Sequence, residues 1–170
     1  GELYDETLFS LVPVVNIDHH VTNECFGDHN LVDTQVAATA QLVLALLEDS
    51  SMSLDRQIAT CLLAGIVYDT QCFRTSNTTS KVLRDAAHLL EYAESALEEA
   101  VKNIFNTKTL SGLRLWGRIL SSLQMEDHIA WAEDTQDMRE ESQATRDEGS
   151  QIVNLLAGIR GAKVALVFTE

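Results

Sequence analysis

Apolar residues recur at three- and four-residue spacing along most of the chain, which is the pattern of helices with one buried face. A single proline, Pro13, interrupts the sequence. The pattern predicts helices over residues 34–48, 54–67, 79–92, 95–105 and 109–123. Ser53 and Ser95 are predicted as N-caps, because a serine hydroxyl can accept a hydrogen bond from the first turn of a helix.

Three shorter segments show the apolar runs or the alternation that is typical of β-strands. They are residues 12–17, 128–132 and 162–170. An acidic helical stretch, 133–148, and a helix over 149–158 separate the last two. Strands that alternate with helices predict an α/β fold. Because the later strands lie far from the first, we expect two domains with a boundary near Lys108.

The first predicted strand runs directly into three polar residues, Asp18, His19 and His20. A carboxylate and neutral imidazole nitrogens at the end of a buried strand are ligands that a divalent metal ion accepts. A surface turn whose polar groups face water would explain the same triplet. The triplet alone does not decide between these interpretations.

A second polar segment follows about fifty residues later along the chain. The apolar helical run 58–67 leads into Asp69, and Arg74 follows in a polar stretch. A carboxylate at the end of a buried element costs several kcal/mol unless a cation or hydrogen-bond donors meet it. Asp69 is therefore a candidate metal ligand, with a capping or loop aspartate as the alternative.

Together the two segments resemble the DHH phosphoesterase family. The resemblance rests on the strings VVNIDHHVTNECFGDHNLVD and AGIVYDTQCFRTSNTT, in that order. Within the family they are similar to the bifunctional oligoribonuclease and PAP phosphatase branch, the nanoRNase A type. The resemblance implies a parallel sheet flanked by helices over residues 1–108, the C-terminal part of a DHH catalytic domain. It also implies a connector helix over 109–123 and the start of a smaller DHHA1-type α/β domain over 124–170.

The same resemblance implies a role for each residue of the site. His19 and Asp69 ligate one of two manganese ions, although ligand type alone leaves other divalent metals open. His20 faces the phosphate, and Asp18 orients the histidines. Two such ions share a hydroxide that attacks phosphorus in line. The implied activity is manganese-dependent hydrolysis of short oligoribonucleotides and of 3'-phosphoadenosine 5'-phosphate (pAp).

Arg74 and the polar residues Ser76, Asn77 and Thr78 precede a predicted helix. Backbone N–H groups at a helix start, together with a guanidinium, can hold a phosphate. For Asn77 and Thr78 helix capping is the favoured interpretation. Arg74 is predicted to bind substrate, with a buried acidic partner as the alternative.

The chain departs from the family pattern near both ends. The acidic motifs that precede the DHH triplet in family members are not found, and neither is the glycine-rich motif that follows the final strand. The chain is therefore expected to be incomplete at both ends. Because His19 and Asp69 supply only two ligands, these 170 residues are expected to bind manganese weakly and to be inactive alone. Gln71 stands where the family more often has glycine.

The formal net charge of −14 argues against a broad electrostatic grip on nucleic acid, which needs clustered lysines and arginines. The few phosphates of a short oligonucleotide or a nucleotide bisphosphate can instead be met by metals and one or two arginines. The expected partners are therefore short RNA or nucleotide substrates, not long duplexes. A homodimer is left open.

The cysteines and the absence of targeting segments bear on the compartment. Cys25, Cys61 and Cys72 lack metal-ligand spacing and are predicted to be reduced and mostly buried. The sequence contains no signal peptide and no unbroken apolar stretch of about 18 residues. A cytoplasmic protein without membrane contact is therefore expected.

Two other functions fit the same residues. One is another DHH-family hydrolase, namely a cyclic-dinucleotide phosphodiesterase, a RecJ-like exonuclease or a manganese pyrophosphatase; the acidic charge argues against the RecJ type. The other is a non-catalytic interaction module, in which Asp18, His19 and His20 persist as hydrogen-bonding residues without metal. An acidic pair encoded upstream of Gly1 would favour catalysis over the module.

Overall fold

The computed structural model describes residues 6–9 and 11–170. Contacts between residues divide the chain into two compact units, unit 1 (Gly1–Asn106) and unit 2 (Thr107–Glu170). The boundary predicted near Lys108 lies beside this division. No helix among the described residues combines the length and the apolar composition that a membrane crossing requires.

The described part of unit 1 contains a short parallel sheet and a group of helices. Its elements are α1 (Glu6–Phe9), β1 (Val15–Asp18), β2 (His29–Val32), α2 (Thr39–Asp49), α3 (Arg56–Asp69), α4 (Ser80–Tyr92), α5 (Ala96–Val101) and a π-helical segment (Lys102–Asn106). β1 pairs with β2 in parallel, with Val15 opposite His29 and Asp18 opposite Val32. The sequence pattern did not predict β2, because the strand has only four residues and most of them are exposed.

The core of unit 1 is built around α3. Leu63, Ile66 and Val67 of this helix are fully buried, as is Leu89 of α4. α2, α4 and α5 all pack against α3. Burying these apolar side chains is the main force that holds the helices together, and it fixes where the last residue of α3 lies.

Two predicted N-caps behave differently from expectation. Asp55, not Ser53, caps α3, and its carboxylate accepts the backbone N–H of Ile58 at 2.8 Å. The prediction for Ser53 is therefore wrong, because the helix begins two residues later. Ser95 does occupy the N-cap position of α5, but its hydroxyl donates to the side chain of Glu99 instead of accepting from the first turn.

Unit 2 is a three-stranded sheet with helices packed on one face. Its elements are α6 (Leu110–Ser121), β3 (Gln124–Glu126), β4 (Ile129–Asp134), α7 (Gln136–Ser142), α8 (Arg146–Gly149), α9 (Ile152–Ala157) and β5 (Val164–Thr169). The strand order is β3-β4-β5, antiparallel between β3 and β4 and parallel between β4 and β5. The stretch 133–148, predicted as one helical region, is divided among the end of β4, α7 and α8.

The predicted connector helix belongs to unit 2. Leu115 and Ile119 of α6 are fully buried and share a core with Ala132, Ile152 and Leu156. α6 also packs against α7, α8 and β4. Because one whole face of α6 is buried in this core, the helix is an integral part of the unit and not a linker before it.

The cysteines are less buried than predicted. Cys25 and Cys61 are exposed, Cys72 is half-buried, and all three are free thiols. Cys25 lies between β1 and β2 with a backbone φ of 54°. The prediction of free thiols holds, and the prediction that they are mostly buried is wrong.

Candidate functional site

Asp18 organises the turn that follows β1. Its Oδ1 atom accepts hydrogen bonds from the backbone N–H groups of His19, at 2.7 Å, and His20, at 3.2 Å. Short aspartate side chains commonly hold the backbone that follows them in this way. The same oxygen lies 2.6 Å from Nδ1 of His20. Asp18 therefore fixes both the path of the turn and the ring of the second histidine.

The charges of Asp18 and His20 support each other. The side-chain amide of Asn23 donates to Asp18 Oδ2, and together with the hydrogen bond from His20 it holds the pKa of Asp18 well below its ordinary value. In return, the hydrogen bond to Asp18 and the attraction of that carboxylate raise the pKa of His20, with a smaller contribution from Asp69. The lowered pKa favours a negatively charged Asp18, and the raised pKa favours a protonated His20 beside it.

His19 and Asp69 converge although they come from different elements. His19 follows β1 and Asp69 is the last residue of α3, yet His19 Nε2 lies 3.4 Å from Asp69 Oδ2. Both side chains are partly enclosed, with 15% and 31% of their surface exposed. The ring of His20 lies beside that of His19, with 4.5 Å between the centroids. The three side chains therefore form one cluster at the ends of β1 and α3.

The negative charge of the Asp69 carboxylate is only partly balanced by the described residues around it. Burial raises its pKa above the ordinary value, although the nearby His19 and His20 act in the opposite direction. A cation at this place would supply what the surroundings do not. An imidazole nitrogen and a carboxylate oxygen at this separation are also the donor types that manganese, zinc and iron accept. His19 and Asp69 thus fit a divalent metal.

These two donors do not make a complete site. Among the residues that the structure describes, no group of three or more histidine, cysteine, aspartate or glutamate side chains is arranged to hold a metal ion. Octahedral ions such as manganese take about six ligands, of which water and substrate can supply some. The described cluster therefore offers two of the ligands that a metal site would need.

The segment after Asp69 follows an unusual path. Gln71, Cys72 and Phe73 have backbone φ angles of 46°, 60° and 62°, in the left-handed region that favours glycine. The buried hydroxyl of Thr70 accepts the N–H of Phe73 at 3.0 Å and donates to the carbonyl of Ile66 at 2.6 Å. This one side chain therefore ties the left-handed segment to the end of α3.

Arg74 is exposed and is held by two neighbours from its own unit. Its Nε donates to the carbonyl oxygen of Gln71 at 2.7 Å, and its guanidinium lies 5.9 Å from the centre of the Phe105 ring. None of the ion pairs among the described residues involves Arg74, so the predicted alternative, a buried acidic partner, is not observed there. The outer face of the guanidinium remains available to an anion.

The start of α4 differs from the prediction. Thr79 is the N-cap, and its hydroxyl accepts the N–H of Val82. The capping predicted for Asn77 and Thr78 is therefore wrong, because the helix begins at Ser80 and the residue at its N-cap position is Thr79. Asn77 instead donates to the carbonyl of Ala37 and accepts from Thr75, which anchors the loop. Ser76 is exposed.

The structure brings four of the five predicted site residues together and leaves one apart. Asp69 contacts His19, His19 contacts His20 and His20 contacts Asp18, whereas no hydrogen bond or ion pair among the described residues joins the Arg74 side chain to them. The sequence pattern missed a set of asparagines beneath the cluster, at positions 16, 23 and 30. Asparagine is an ordinary residue beside a turn, so nothing in the sequence signalled this role.

Comparison with known proteins identifies the family. The bifunctional oligoribonuclease and PAP phosphatase NrnA of Thermus thermophilus is 37% identical over 153 residues, which are 90% of this chain and 46% of that protein. The protein of the same name from Bacillus subtilis is 30% identical over 170 residues, 98% of this chain and 54% of that protein. The chain spans about half the length of the curated relatives it matches. No family model matches the chain.

A solved structure supports the fold. An exopolyphosphatase-related protein from Bacteroides fragilis superposes with a TM-score of 0.76 at 22% sequence identity, over 87% of this chain and 44% of that one. The arrangement of parallel strands and helices is thus shared with a known α/β protein. The fold, the ordered DHH and aspartate segments and the similarity to the NrnA proteins lead to one conclusion: this chain belongs to the DHH phosphoesterase family, in its oligoribonuclease and PAP phosphatase branch.

Proposed function

We propose that this sequence forms part of a manganese-dependent phosphoesterase that hydrolyses short oligoribonucleotides and pAp. The observation that carries the proposal is the 3.4 Å approach of His19 Nε2 to Asp69 Oδ2. An imidazole and an uncompensated carboxylate that converge in this way are suited to a shared cation. The relatives from Thermus thermophilus and Bacillus subtilis, both called oligoribonuclease and PAP phosphatase, support the substrate class.

Each residue of the cluster has a distinct task in this proposal. His19 and Asp69 would hold one manganese ion of a pair. When bound, such ions supply a hydroxide at neutral pH and screen the phosphate oxygens. His20 uses Nδ1 for Asp18, so its Nε2 is the atom that can meet the phosphate. Asp18 keeps that ring in place and, by its charge, favours a proton on Nδ1.

Arg74 is proposed to bind a phosphate of the substrate. Its guanidinium is exposed, held at its base by the Gln71 carbonyl, and not used in an ion pair with any described residue. A planar guanidinium can make two parallel hydrogen bonds to a phosphate. In a chain with a net charge of −14, one well-placed arginine suits a substrate with few phosphates better than a long strand.

The 170 residues are proposed to be inactive by themselves. The described side chains supply two converging metal donors, whereas a two-metal site needs about four to six protein ligands. The full-length protein is proposed to act in the cytoplasm, in line with its free cysteines. Further ligands from outside this segment would complete the site.

The metal role can be tested on the chain itself by calorimetric titration with manganese. The wild-type chain should bind weakly, and Asp69→Asn should abolish the binding heat. Asp137→Asn, an exposed acid on α7, is the matched control and should bind as the wild type does. Equal manganese affinity in the wild type and in Asp69→Asn would refute the shared cation.

The activity is tested with four substrates on the full-length protein: pAp, a two-nucleotide RNA, pyrophosphate and cyclic di-AMP. Release of phosphate from pAp and of nucleotides from the RNA supports the proposal. Preference for pyrophosphate or cyclic di-AMP would assign another hydrolase of the family. No turnover of any of them with manganese present would favour a non-catalytic interaction module.

Arg74 needs its own comparison in the same assay. Arg74→Ala should raise KM for pAp by about tenfold or more, since a charge-assisted hydrogen bond contributes roughly 1.5–3 kcal/mol. Arg84→Ala, which removes an exposed arginine of α4, should leave KM unchanged. An unchanged KM in Arg74→Ala would exclude the substrate role.

A further inference from the structure

The asparagine side chains around the DHH turn form a connected hydrogen-bond network, and it ends on Asp18. We propose that Asn23 is a positioning residue, which holds Asp18 so that His20 presents its free ring nitrogen in one orientation. The effect of Asn23 on catalysis rests on the proposed function, but its effect on the orientation of His20 can be tested without an activity assay.

Both oxygens of Asp18 are occupied in the described structure. Oδ1 accepts from the backbone of His19 and His20 and contacts the His20 ring, while Oδ2 accepts from Asn23 Nδ2 at 2.5 Å. A carboxylate fixed on one oxygen can still rotate its plane. The second bond, from Asn23, removes that freedom, because both oxygens must then point to set partners.

His20 depends on this arrangement more than a buried residue would. About 69% of its side chain is exposed, so packing does not hold the ring. The ring contacts are the Asp18 hydrogen bond at 2.6 Å and the neighbouring ring of His19. The direction in which His20 Nε2 points is therefore set by Asp18, and the direction of Asp18 is set by Asn23.

Asn23 is in turn held by two side-chain hydrogen bonds with Asn16. The two side-chain amides pair reciprocally: Asn16 Nδ2 donates to Asn23 Oδ1 at 2.8 Å, and Asn23 Nδ2 donates to Asn16 Oδ1 at 3.2 Å. Asn16 lies in β1 and is only 6% exposed. A buried amide with its hydrogen bonds satisfied is a rigid support, since any rotation would leave polar atoms unpaired.

The network continues to β2 and closes the loop between the strands. Asn16 Nδ2 donates to Asn30 Oδ1 at 3.0 Å, and Asn30 exchanges hydrogen bonds with the backbone of Gly27 at 2.7 and 3.0 Å. A Cβ on Gly27 would lie 3.0 Å from Asn16 Cβ and 2.9 Å from the carbonyl oxygen of His29. The loop thus lies directly on Asn16, which leaves the network no room to rearrange.

Asn23 also serves its own loop, so its structural role must be separated from its positioning role. Its Oδ1 accepts the N–H of Cys25 at 2.8 Å, and its backbone N–H donates to the carbonyl of His20 at 3.1 Å. Asn23→Asp keeps the acceptor for Cys25 and the shape of the side chain, but it cannot donate to Asp18. Asn23→Ala removes both functions.

The first measurement is made on the metal-free 170-residue chain by histidine-selective ¹⁵N NMR, at a pH where the ring is neutral. In the wild type, His20 should carry its proton on Nδ1, because Asp18 can only accept there. Both Asn23→Ala and Asn23→Asp should shift His20 toward a mixture with the Nε2-protonated form. Asn103→Ala, an exposed asparagine of the π-helical segment, should leave the spectrum of His20 unchanged. Unchanged His20 signals in both Asn23 variants would overturn the inference.

The second measurement is a double-mutant cycle in the full-length protein with pAp. Asn23→Ala should lower kcat about 10- to 100-fold with little change in KM, the usual effect of removing a support behind a functional side chain. In a His20→Ala background the same change should lower kcat less than about threefold, because its effect passes through His20. Full, additive losses would show a merely structural role and overturn the inference. If the wild type has no activity, the proposed function fails alone, and the NMR comparison still decides the positioning.

Discussion

His19 Nε2 and Asp69 Oδ2 lie 3.4 Å apart, although fifty residues separate them along the chain. α2 brings the two together, because it packs against both β1, which precedes His19, and α3, which ends at Asp69. The site is thus assembled by the helical core of unit 1 and not by local sequence. Any change that moves α3 against β1 should separate the two donors.

Asp69→Asn should stabilise the metal-free chain at neutral pH. Burial raises the pKa of Asp69, so the charged carboxylate is less favourable in the folded than in the unfolded state. For a carboxylate shifted in this direction, the destabilisation is present above the folded-state pKa and disappears below the ordinary value of 3.8. Thermal unfolding with excess EDTA should therefore show a higher Tm for Asp69→Asn near pH 7 and no difference near pH 3. A lower Tm at pH 7 would contradict an uncompensated charge.

The helices of the fold were predictable because each carries its own pattern of apolar residues. The predicted 54–67 and 79–92 match α3 (Arg56–Asp69) and α4 (Ser80–Tyr92) to within two residues at each end. β2 and β3 were not predicted, because a strand of three or four exposed residues has no apolar alternation and exists through its main-chain bonds to a neighbour. Their existence depends on the partner strand and not on their own composition.

The sequence predicted only those site residues whose side chains are themselves typical metal or phosphate ligands. Asp18, His19 and His20 stand next to one another, and the apolar run before Asp69 marks that carboxylate as unusual. Asn23 could not be found in this way, because an asparagine near a turn is ordinary. Its importance comes from two bonds, to Asp18 and to the buried Asn16, which only the folded chain creates.

Thr70→Val should destabilise unit 1 without changing the size of the side chain. The hydroxyl of Thr70 is buried and pairs with the N–H of Phe73, so its loss leaves that donor without a partner. Leaving a buried donor unsatisfied costs roughly 1–3 kcal/mol. Because the bond to Phe73 is part-buried, we expect a loss of about 1 kcal/mol of unfolding free energy, at the low end of that range. Urea unfolding monitored by circular dichroism measures the loss.

Thr60→Val is the matched control for Thr70→Val. Thr60 lies in the same helix, and its hydroxyl also donates to the carbonyl four residues earlier, at 2.7 Å from Arg56 O. It is less buried than Thr70, so the change should alter the unfolding free energy by about 0.5 kcal/mol or less. Equal losses in the two variants would show that the bond to Phe73 contributes nothing.

Glu148→Gln should remove part of the acid sensitivity of unit 2. The Thr109 hydroxyl, the Thr145 backbone N–H and the Ser111 hydroxyl donate to the Glu148 carboxylate and lower its pKa from the ordinary 4.5 to about 2. A lowered pKa means that the charged carboxylate stabilises the fold fully above pH 4.5 and that this stabilisation is lost as the pH falls toward 2.

The measurement for Glu148 is a series of thermal unfolding curves between pH 7 and pH 2. The wild type should have the higher Tm at pH 7, and the difference from Glu148→Gln should shrink as the pH drops through the window given by the two pKa values. Asp137→Asn, an exposed acid of the same unit, should show no such convergence. A difference that stays constant with pH would show that the carboxylate acts through its shape and not its charge.

Gly149→Ala and Gly117→Ala, both in unit 2, should change the unfolding free energy in opposite directions. Gly149 ends α8, and a Cβ there would lie 2.8 Å from Oδ2 of Asp134. Asp134 cannot move away easily, because its side chain is 3% exposed and its other oxygen forms a 2.7 Å ion pair with Arg139, whose side chain is 12% exposed. Gly149→Ala should therefore lower the unfolding free energy by roughly 1–3 kcal/mol, as overpacking in a core does.

Gly117→Ala should instead stabilise the chain. Gly117 lies inside α6, and a Cβ there would meet no atom within 4 Å. Alanine in a helix interior is favoured over glycine by about 0.5–1 kcal/mol, because it loses less backbone entropy on folding. Urea unfolding of both variants tests the pair. Stabilisation in both variants would mean that helix propensity outweighs the Asp134 contact, since propensity favours alanine at either position while only Gly149 lies against the buried ion pair. Destabilisation by Gly117→Ala would contradict the open space at that position.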